Sequence, residues 1–263
     1  MSDESWLRTG IGASDADSIT LMGRDLATEL MGNVTFTELT FLLVRGRLPA
    51  AEETRLLDAV LVSLADHGLT PTVLAARLTH TGAPESIQGA IASGLLGAGS
   101  VFLGVVEDTA RFLSALIERG ETDREAVERA VSERIEAGRR IPGLGHPVHK
   151  AKDPRTPRIY EIAEEGGQLG EHLRLLLVVA EVHRDQSGRD LPINGAGVAG
   201  AALADLGFQP ALLRGLALLA RTAGLLGHLA EEMEQPIGMA LYREVDERAL
   251  YDPPPDIAPD VDA

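Results

Sequence analysis

Six cations crowd into one short window of a strongly acidic chain. Residues 139–158 carry Arg139, Arg140, Lys150, Lys152, Arg155 and Arg158, with His146, His149 and a single acid, Asp153. Lys150 and Lys152 are the only lysines among 263 residues whose formal net charge is −16. Charge of this sign in a Gly- and Pro-rich run, 141-IPGLGHPVHKAKDPRTPR-158, reads as a receptor for an anion. Gly143 and Gly145 would let backbone N–H groups approach a ligand closely. Lysine holds phosphate or carboxylate as a point charge, and arginine suits bidentate carboxylate contact. A solvated surface loop is the plainer reading; it weighs less because the charge opposes the rest of the chain. His146, directly after Gly145, suits hydrogen bonding or proton transfer near neutral pH. His67, after Asp66 at a helix end, suits the same role. Arg221 lies inside the apolar run 210–234, where a charge needs a partner. It is either half of a structural ion pair or an anion ligand.

Other chemistries drop out. There is no cysteine, so thiolate nucleophiles, disulfides and Cys-ligated metal centres are excluded. No HExxH occurs, and His146 and His149 stand among glycines and prolines rather than on a helix, so no metal site is expected. The third glycine of a dinucleotide fingerprint is missing after Gly143 and Gly145, and no phosphate-binding GxxxxGK[ST] loop is present. The net charge disfavours nucleic acid and anionic lipid as general partners. No stretch of 18 apolar residues runs without charge, so no membrane span is expected. MSDESWLRTG has neither a basic n-region nor an apolar h-region. These features lead to the expectation of a cytoplasmic protein.

The elements that must position these groups read as helices. Apolar residues make up 44% of the chain and aromatics only 3%, so the core must come from Leu, Ala, Val and Ile. Ala and Leu favour helix, and the class expected is all-α. Residues 15–31 are ambiguous between a strand and a short helix followed by a loop. Thr35 with Glu38 forms a capping signature for a helix through Arg45. The apolar spacing in 50–66 gives an amphipathic helix, and the next runs from Pro71 to about His80. Residues 86–116 read as two consecutive helices, the first rich in Gly, Ala and Ser and therefore buried or facing a subunit. Further helices are expected at 122–138, 155–165, 169–184 and 210–234. The stretch 191–208 reads as a loop leading into a small-residue helix. The Pro- and Asp-rich tail 252–263 is expected to be disordered.

The segment 143-GLGHPVHKAKDPR-155 resembles the G-[FIL]-G-H-x-V-x-x-x-x-D-P-R signature of the citrate synthase superfamily. Four other stretches resemble that family in order: 24-RDLATELMGNVTFTELTFLLVRGRLPAAEE-53, 66-DHGLTPTVLAARL-78, 192-PINGAGVAG-200 (against P-N-V-D-x-x-x-G) and 220-ARTAGLLGH-228. Together they cover nearly the whole chain. The stretch 93-SGLLGAGSVFLGVVEDTARFL-113 is similar to the lyase branch, that is, stand-alone citryl-CoA lyases and the lyase domain of ATP-citrate lyase.

The resemblance implies an all-α protein in two domains. Residues 1–103 and 208–251 would form the large, dimerising domain, and 104–207 an inserted small domain. It implies retro-aldol cleavage of a 3-hydroxyacyl-CoA, the nearest reaction being citryl-CoA to acetyl-CoA and oxaloacetate. His146 and His67 would be the catalytic pair, one of them taking the hydroxyl proton. Arg155, Arg221 and Asn194 would bind substrate, with Arg158 as a substitute for Arg155. Pro142, Gly143, Leu144, Gly145 and Lys150 would hold coenzyme A, which enters as part of the substrate; no permanent cofactor is implied. The chain departs from the family in two places. Phe102 stands where synthases place a histidine, and Asn194-Gly195-Ala196 replaces N-V-D, so Ala196 stands where the family has its acid–base Asp. A non-catalytic acyl-CoA or dicarboxylate-binding homologue, or a condensing enzyme, are the alternatives. A homodimer through small-residue helices such as 86–106 is expected.

Overall fold

A computed structural model describes residues 8–252. The tail expected to be disordered lies, from 253 on, outside the described residues. A three-stranded antiparallel sheet opens the described chain: β1 (Gly12–Ser14), β2 (Ile19–Leu21) and β3 (Arg24–Asp25). Met22 and Gly23 join β2 to β3 with φ of 52° and 77°. Two successive positive φ values make the hairpin turn that follows strand twist, which resolves the ambiguous 15–31 stretch as a hairpin plus one π-helical turn, Leu26–Leu30.

Eleven α-helices follow among the described residues: α1 (Phe36–Arg45), α2 (Ala51–Ala65), α3 (Pro71–Gly82), α4 (Ile87–Leu96), α5 (Gly104–Glu118), α6 (Arg124–Glu136), α7 (Arg155–Glu165), α8 (Glu171–Ser187), α9 (Gly195–Asp205), α10 (Pro210–Glu234) and α11 (Gly238–Arg248). The capping signature at Thr35 forms as read: Thr35 Oγ1 accepts from Glu38 N and Glu38 Oε2 accepts from Thr35 N. Helix α11 has no reading from sequence. Its first-turn N–H groups, Ile237 and Gly238, donate to Glu232, a side chain on α10, so the start signal is not in the helix itself.

The described chain divides into two compact units, residues up to Asp66 with 98–221, and residues 67–97 with those from 222 on. In the first unit α9 is the central helix and packs against α2, α5, α7 and α8. Its small residues explain this. A Cβ on Gly200 would lie 2.2 Å from the Val106 carbonyl oxygen of α5. Glycine thus permits backbone contact where any side chain would hold the helices apart. Around α9, Leu113, Leu116, Leu173, Leu176, Val179 and Leu203 are fully buried. Each buried leucine contributes about 1.5–3 kcal/mol.

The second unit pairs α3 with α4 and closes over Val73, Ala76, Ala90, Leu225 and Leu229. Arg77, also buried there, donates through Nη1 to Glu232 at 2.9 Å and through Nη2 to Glu231 and His228 Nδ1. Helix α10 is long and apolar enough by composition to cross a bilayer. Leu213, Leu216, Ala217, Ala220, Leu225 and Leu229 are buried along it, as in the core helix of a globular fold.

Candidate active site

The basic window folds as an irregular loop against the segment that leads into α9. Gly145 N donates to Pro192 O at 2.8 Å, and Asn194 N to Gly143 O at 2.9 Å. Leu144 and Ile193 form an isolated antiparallel bridge. Thr156 Oγ1 donates to Ile193 O at 2.7 Å. This corrects one expectation from sequence. The N–H groups of Leu144 and Gly145 are not left open to a ligand, because they bond to Ile141 O and Pro192 O. The glycines serve backbone shape: φ is +85° at Gly143 and +81° at Gly145. Gly143 also meets α9 face to face, so that a Cβ on Gly197 would lie 2.4 Å from Gly143 Cα.

Asn194, expected to bind substrate, is 8% exposed and braces this scaffold. Its Oδ1 accepts from Gly197 N at 2.8 Å, capping α9, and its Nδ2 donates to Gly145 O at 2.7 Å. Pro142 and Leu144 are half-buried in the loop. Lys150 is exposed, and its Nζ donates back to His146 O at 3.2 Å.

His146 Nδ1 accepts two backbone N–H groups, Val148 at 3.1 Å and His149 at 3.0 Å. A ring nitrogen that accepts carries no proton, so the neutral imidazole bears its hydrogen on Nε2. His149 stacks on it with centroids 4.5 Å apart. In this tautomer the ring can donate only through Nε2.

Asp153 organises the other end of the window. Its side chain is fully buried and accepts from Arg155 N at 3.1 Å, Arg155 Nε at 3.0 Å, Arg155 Nη2 at 2.7 Å and Gly195 N at 2.8 Å. Burial opposes the charged form, yet the Arg155 and Gly195 donors win and hold the carboxyl well below its ordinary range. In the sequence, the one signal of this role is that Asp153 is a lone acid among six cations.

Arg155 also donates through Nη1 to Ser63 O at 3.3 Å. Three of its five N–H groups are thus committed, and two remain. Arg158 is set apart from this arrangement: more than half exposed, it pairs with Glu161 one turn along α7.

Arg221 is 6% exposed, and its Nε and Nη1 have no hydrogen-bond partner among the described residues. Burial pulls its pKa below the ordinary guanidinium value. The Asp66 charge acts the other way, and the Arg155 charge adds to the lowering. The fields of Arg155 and Arg221 therefore overlap within the first unit, one arginine half-committed and the other with buried donors unsatisfied. Two such guanidiniums suit a ligand with more than one carboxylate. Ala196, half-buried in the first turn of α9, supplies no titratable group. His67 opens the second unit, directly after Asp66 caps the end of α2. Phe102 is 44% exposed ahead of α5.

A second polar cluster lies away from the loop. Ser114 Oγ is 3.0 Å from His172 Nε2, and His172 Nδ1 is 2.9 Å from Asp205 Oδ1. The connectivity is that of a nucleophile, base and orienter. Asp205, however, also accepts from His172 N and Leu173 N, and so caps α8, whose own N-cap, Gly170, has no side chain to do it. Ser114 sits mid-helix in α5, where backbone N–H groups are spent on the helix and none can hold an oxyanion. The cluster is a cap tied to a helix contact.

Comparison with known proteins follows the same lines. The solved citryl-CoA lyase from Hydrogenobacter thermophilus is 33% identical, with a TM-score of 0.85, over 96% of this chain and 98% of that one. ATP citrate lyase from Methanothrix soehngenii, solved with citrate and coenzyme A, shares the fold at 24% identity and a TM-score of 0.81, over 97% of this chain and 43% of that one. ATP-citrate synthase beta chain protein 2 of Arabidopsis thaliana is 29% identical over 218 residues, 75% of this chain and 34% of that protein. The chain thus spans about a third of the length of this plant relative. The all-α architecture is the citrate synthase-like fold. Residues 50–244 match the model of the citrate synthase C-terminal domain, and the chain belongs to that family.

Proposed function

We propose that this chain is a citryl-CoA-lyase-like carbon–carbon lyase that cleaves a 3-hydroxyacyl-CoA by retro-aldol chemistry. The observation that carries the reading is Arg221, a buried guanidinium with two unsatisfied nitrogens in the field of Arg155. Buried guanidinium nitrogens without hydrogen bonds are costly to the fold, and a dicarboxylate would offset that cost on binding. The nearest reaction is citryl-CoA to acetyl-CoA and oxaloacetate. The bond from the carbinol carbon to the thioester methylene breaks. The hydroxyl loses its proton as the carbonyl forms, and the electron pair passes into the thioester enolate, which is then protonated at carbon.

In this scheme His146 donates from Nε2 to the carbinol oxygen as negative charge gathers there. With Nδ1 already accepting, the neutral ring has no nitrogen lone pair left to take the hydroxyl proton, which decides between the two histidines expected for that step. His67 remains the candidate to accept that proton. Gly143, Gly145 and Lys150 would flank coenzyme A, the only cofactor-like group in the scheme. A homodimer and a cytoplasmic location belong to the same proposal.

Ala196 favours a second reading, binding without turnover. The test is incubation with citryl-CoA, with oxaloacetate read by coupled NADH oxidation. Release of acetyl-CoA and oxaloacetate that falls at least ~10²-fold in His146→Ala supports the lyase. Binding of citryl-CoA with no release, restored by Ala196→Asp, supports the binding protein.

A further inference from the structure

The guanidinium of Arg155 lies against Gly195 in the first turn of α9, and two features of this chain put it there. A Cβ on Gly195 would fall 2.2 Å from Arg155 Cζ and 2.3 Å from its Nε. A side chain at 195 would displace the guanidinium from where it lies. Opposite, Asp153 grips Arg155 side-on through Nε and Nη2 and takes Gly195 N with the same carboxylate. One buried acid therefore sets the direction of the guanidinium relative to α9, and one missing side chain makes room for it.

We infer that Asp153 is a positioning residue for Arg155, and that Gly195 is the opening that admits the guanidinium onto α9 and so fixes the geometry of carboxylate recognition. The inference builds on the proposed dicarboxylate site and names what shapes it. With Nε, one Nη2 hydrogen and one Nη1 hydrogen committed, Arg155 can offer only its two remaining N–H groups. That is one carboxylate's worth of contact, in a direction set by Asp153. A valine at 195 must push the guanidinium away, while a valine at the first position of a helix leaves the helix able to form.

The test compares wild type, Gly195→Val and Asp153→Asn in two measurements, with far-UV circular dichroism to establish folding. Oxaloacetate affinity is read by calorimetry. The Arg155 Nε–H is read by ¹⁵N NMR, where a side-on carboxylate bond slows its exchange with water. The expected result is a slowly exchanging Arg155 Nε–H in wild type, lost in both variants, with oxaloacetate affinity reduced at least ~10-fold in each. Wild-type affinity and a wild-type Nε–H signal in Gly195→Val would overturn the inference. If wild type binds no oxaloacetate while the Nε–H signal still depends on residues 153 and 195, the positioning stands and the proposed function falls. Where Asp153→Asn fails to fold, Gly195→Val alone decides, because it removes no buried charge.

Discussion

Replacing Gly197 with alanine sets two known effects against each other. Alanine is the better helix former by about 0.8–1 kcal/mol at an interior position, so on propensity alone the variant should be more stable. The structure demands the opposite. The new Cβ would lie 2.4 Å from Gly143 Cα, 2.7 Å from Gly143 O and 3.0 Å from Gly143 C. All three atoms are backbone, so no rotamer change relieves the clash. Reaching the 3.4 Å of an ordinary contact requires the loop to retreat from α9 by about 1 Å. That movement strains Gly145 N to Pro192 O and Asn194 N to Gly143 O, the two bonds that align the loop carrying His146. Overpacking of this kind costs about 1–3 kcal/mol, and about 1 Å of misplacement in a site can cost ~10²-fold in rate. Gly197→Ala should therefore lose about 1–2 kcal/mol in urea unfolding and ~10²-fold in kcat/KM for citryl-CoA cleavage. A variant that gained stability and kept its activity would refute the argument that the loop and α9 meet backbone to backbone.

Three further outcomes are expected. Arg221→Met should abolish oxaloacetate binding while leaving the fold about as stable as wild type, because it removes two buried nitrogens that lack hydrogen bonds and gives up the attraction of Asp66 in exchange; calorimetry and thermal unfolding read the two effects separately. Asp153→Asn should cost about 3 kcal/mol near neutrality by stranding Arg155. The folded-state pKa of Asp153 is depressed, so its contribution is complete above the unfolded value of about 3.9 and is lost as pH falls below it. Urea titrations at descending pH should accordingly show the stability gap to wild type closing on the acid side. In the second unit, Glu232→Gln should cost about 1–3 kcal/mol, because Arg77 loses its buried carboxylate partner and keeps only the exposed Glu231, with faster amide exchange at Ile237 and Gly238, which Glu232 caps.

Sequence periodicity located the helices that carry their own signals. Thr35 and Glu38 cap α1 locally, and the apolar spacing of 210–234 delimits α10 to the residue. Where the signal sits elsewhere in the chain, reading fails or drifts. Helix α8 starts at Glu171 because Asp205 caps it from α9, and α11 starts at Gly238 because Glu232 caps it from α10. The site divides the same way. Residue type and charge singled out the loop, His146 and Arg221 as candidates. That Gly145 spends its N–H on Pro192, that Asn194 braces the loop, and that Asp153 holds Arg155 are consequences of pairing between distant segments, which no local pattern records. Arg158 shows the converse: its charge matched the role, but its place on α7 turns it to solvent beside Glu161.

The bond from Gly145 N to Pro192 O joins two points of the chain with the whole of α7 and α8 between them. Closing a loop of that length costs about 3–4 kcal/mol of chain entropy before any contact repays it. The loop is therefore expected to take shape late in folding, after α7 and α8 have docked on α9. Substitutions in α8 far from His146, at Leu176 or Val179 for example, should slow the appearance of oxaloacetate binding during refolding even where they touch nothing in the loop. In stopped-flow refolding, recovery of binding should lag recovery of helical circular dichroism.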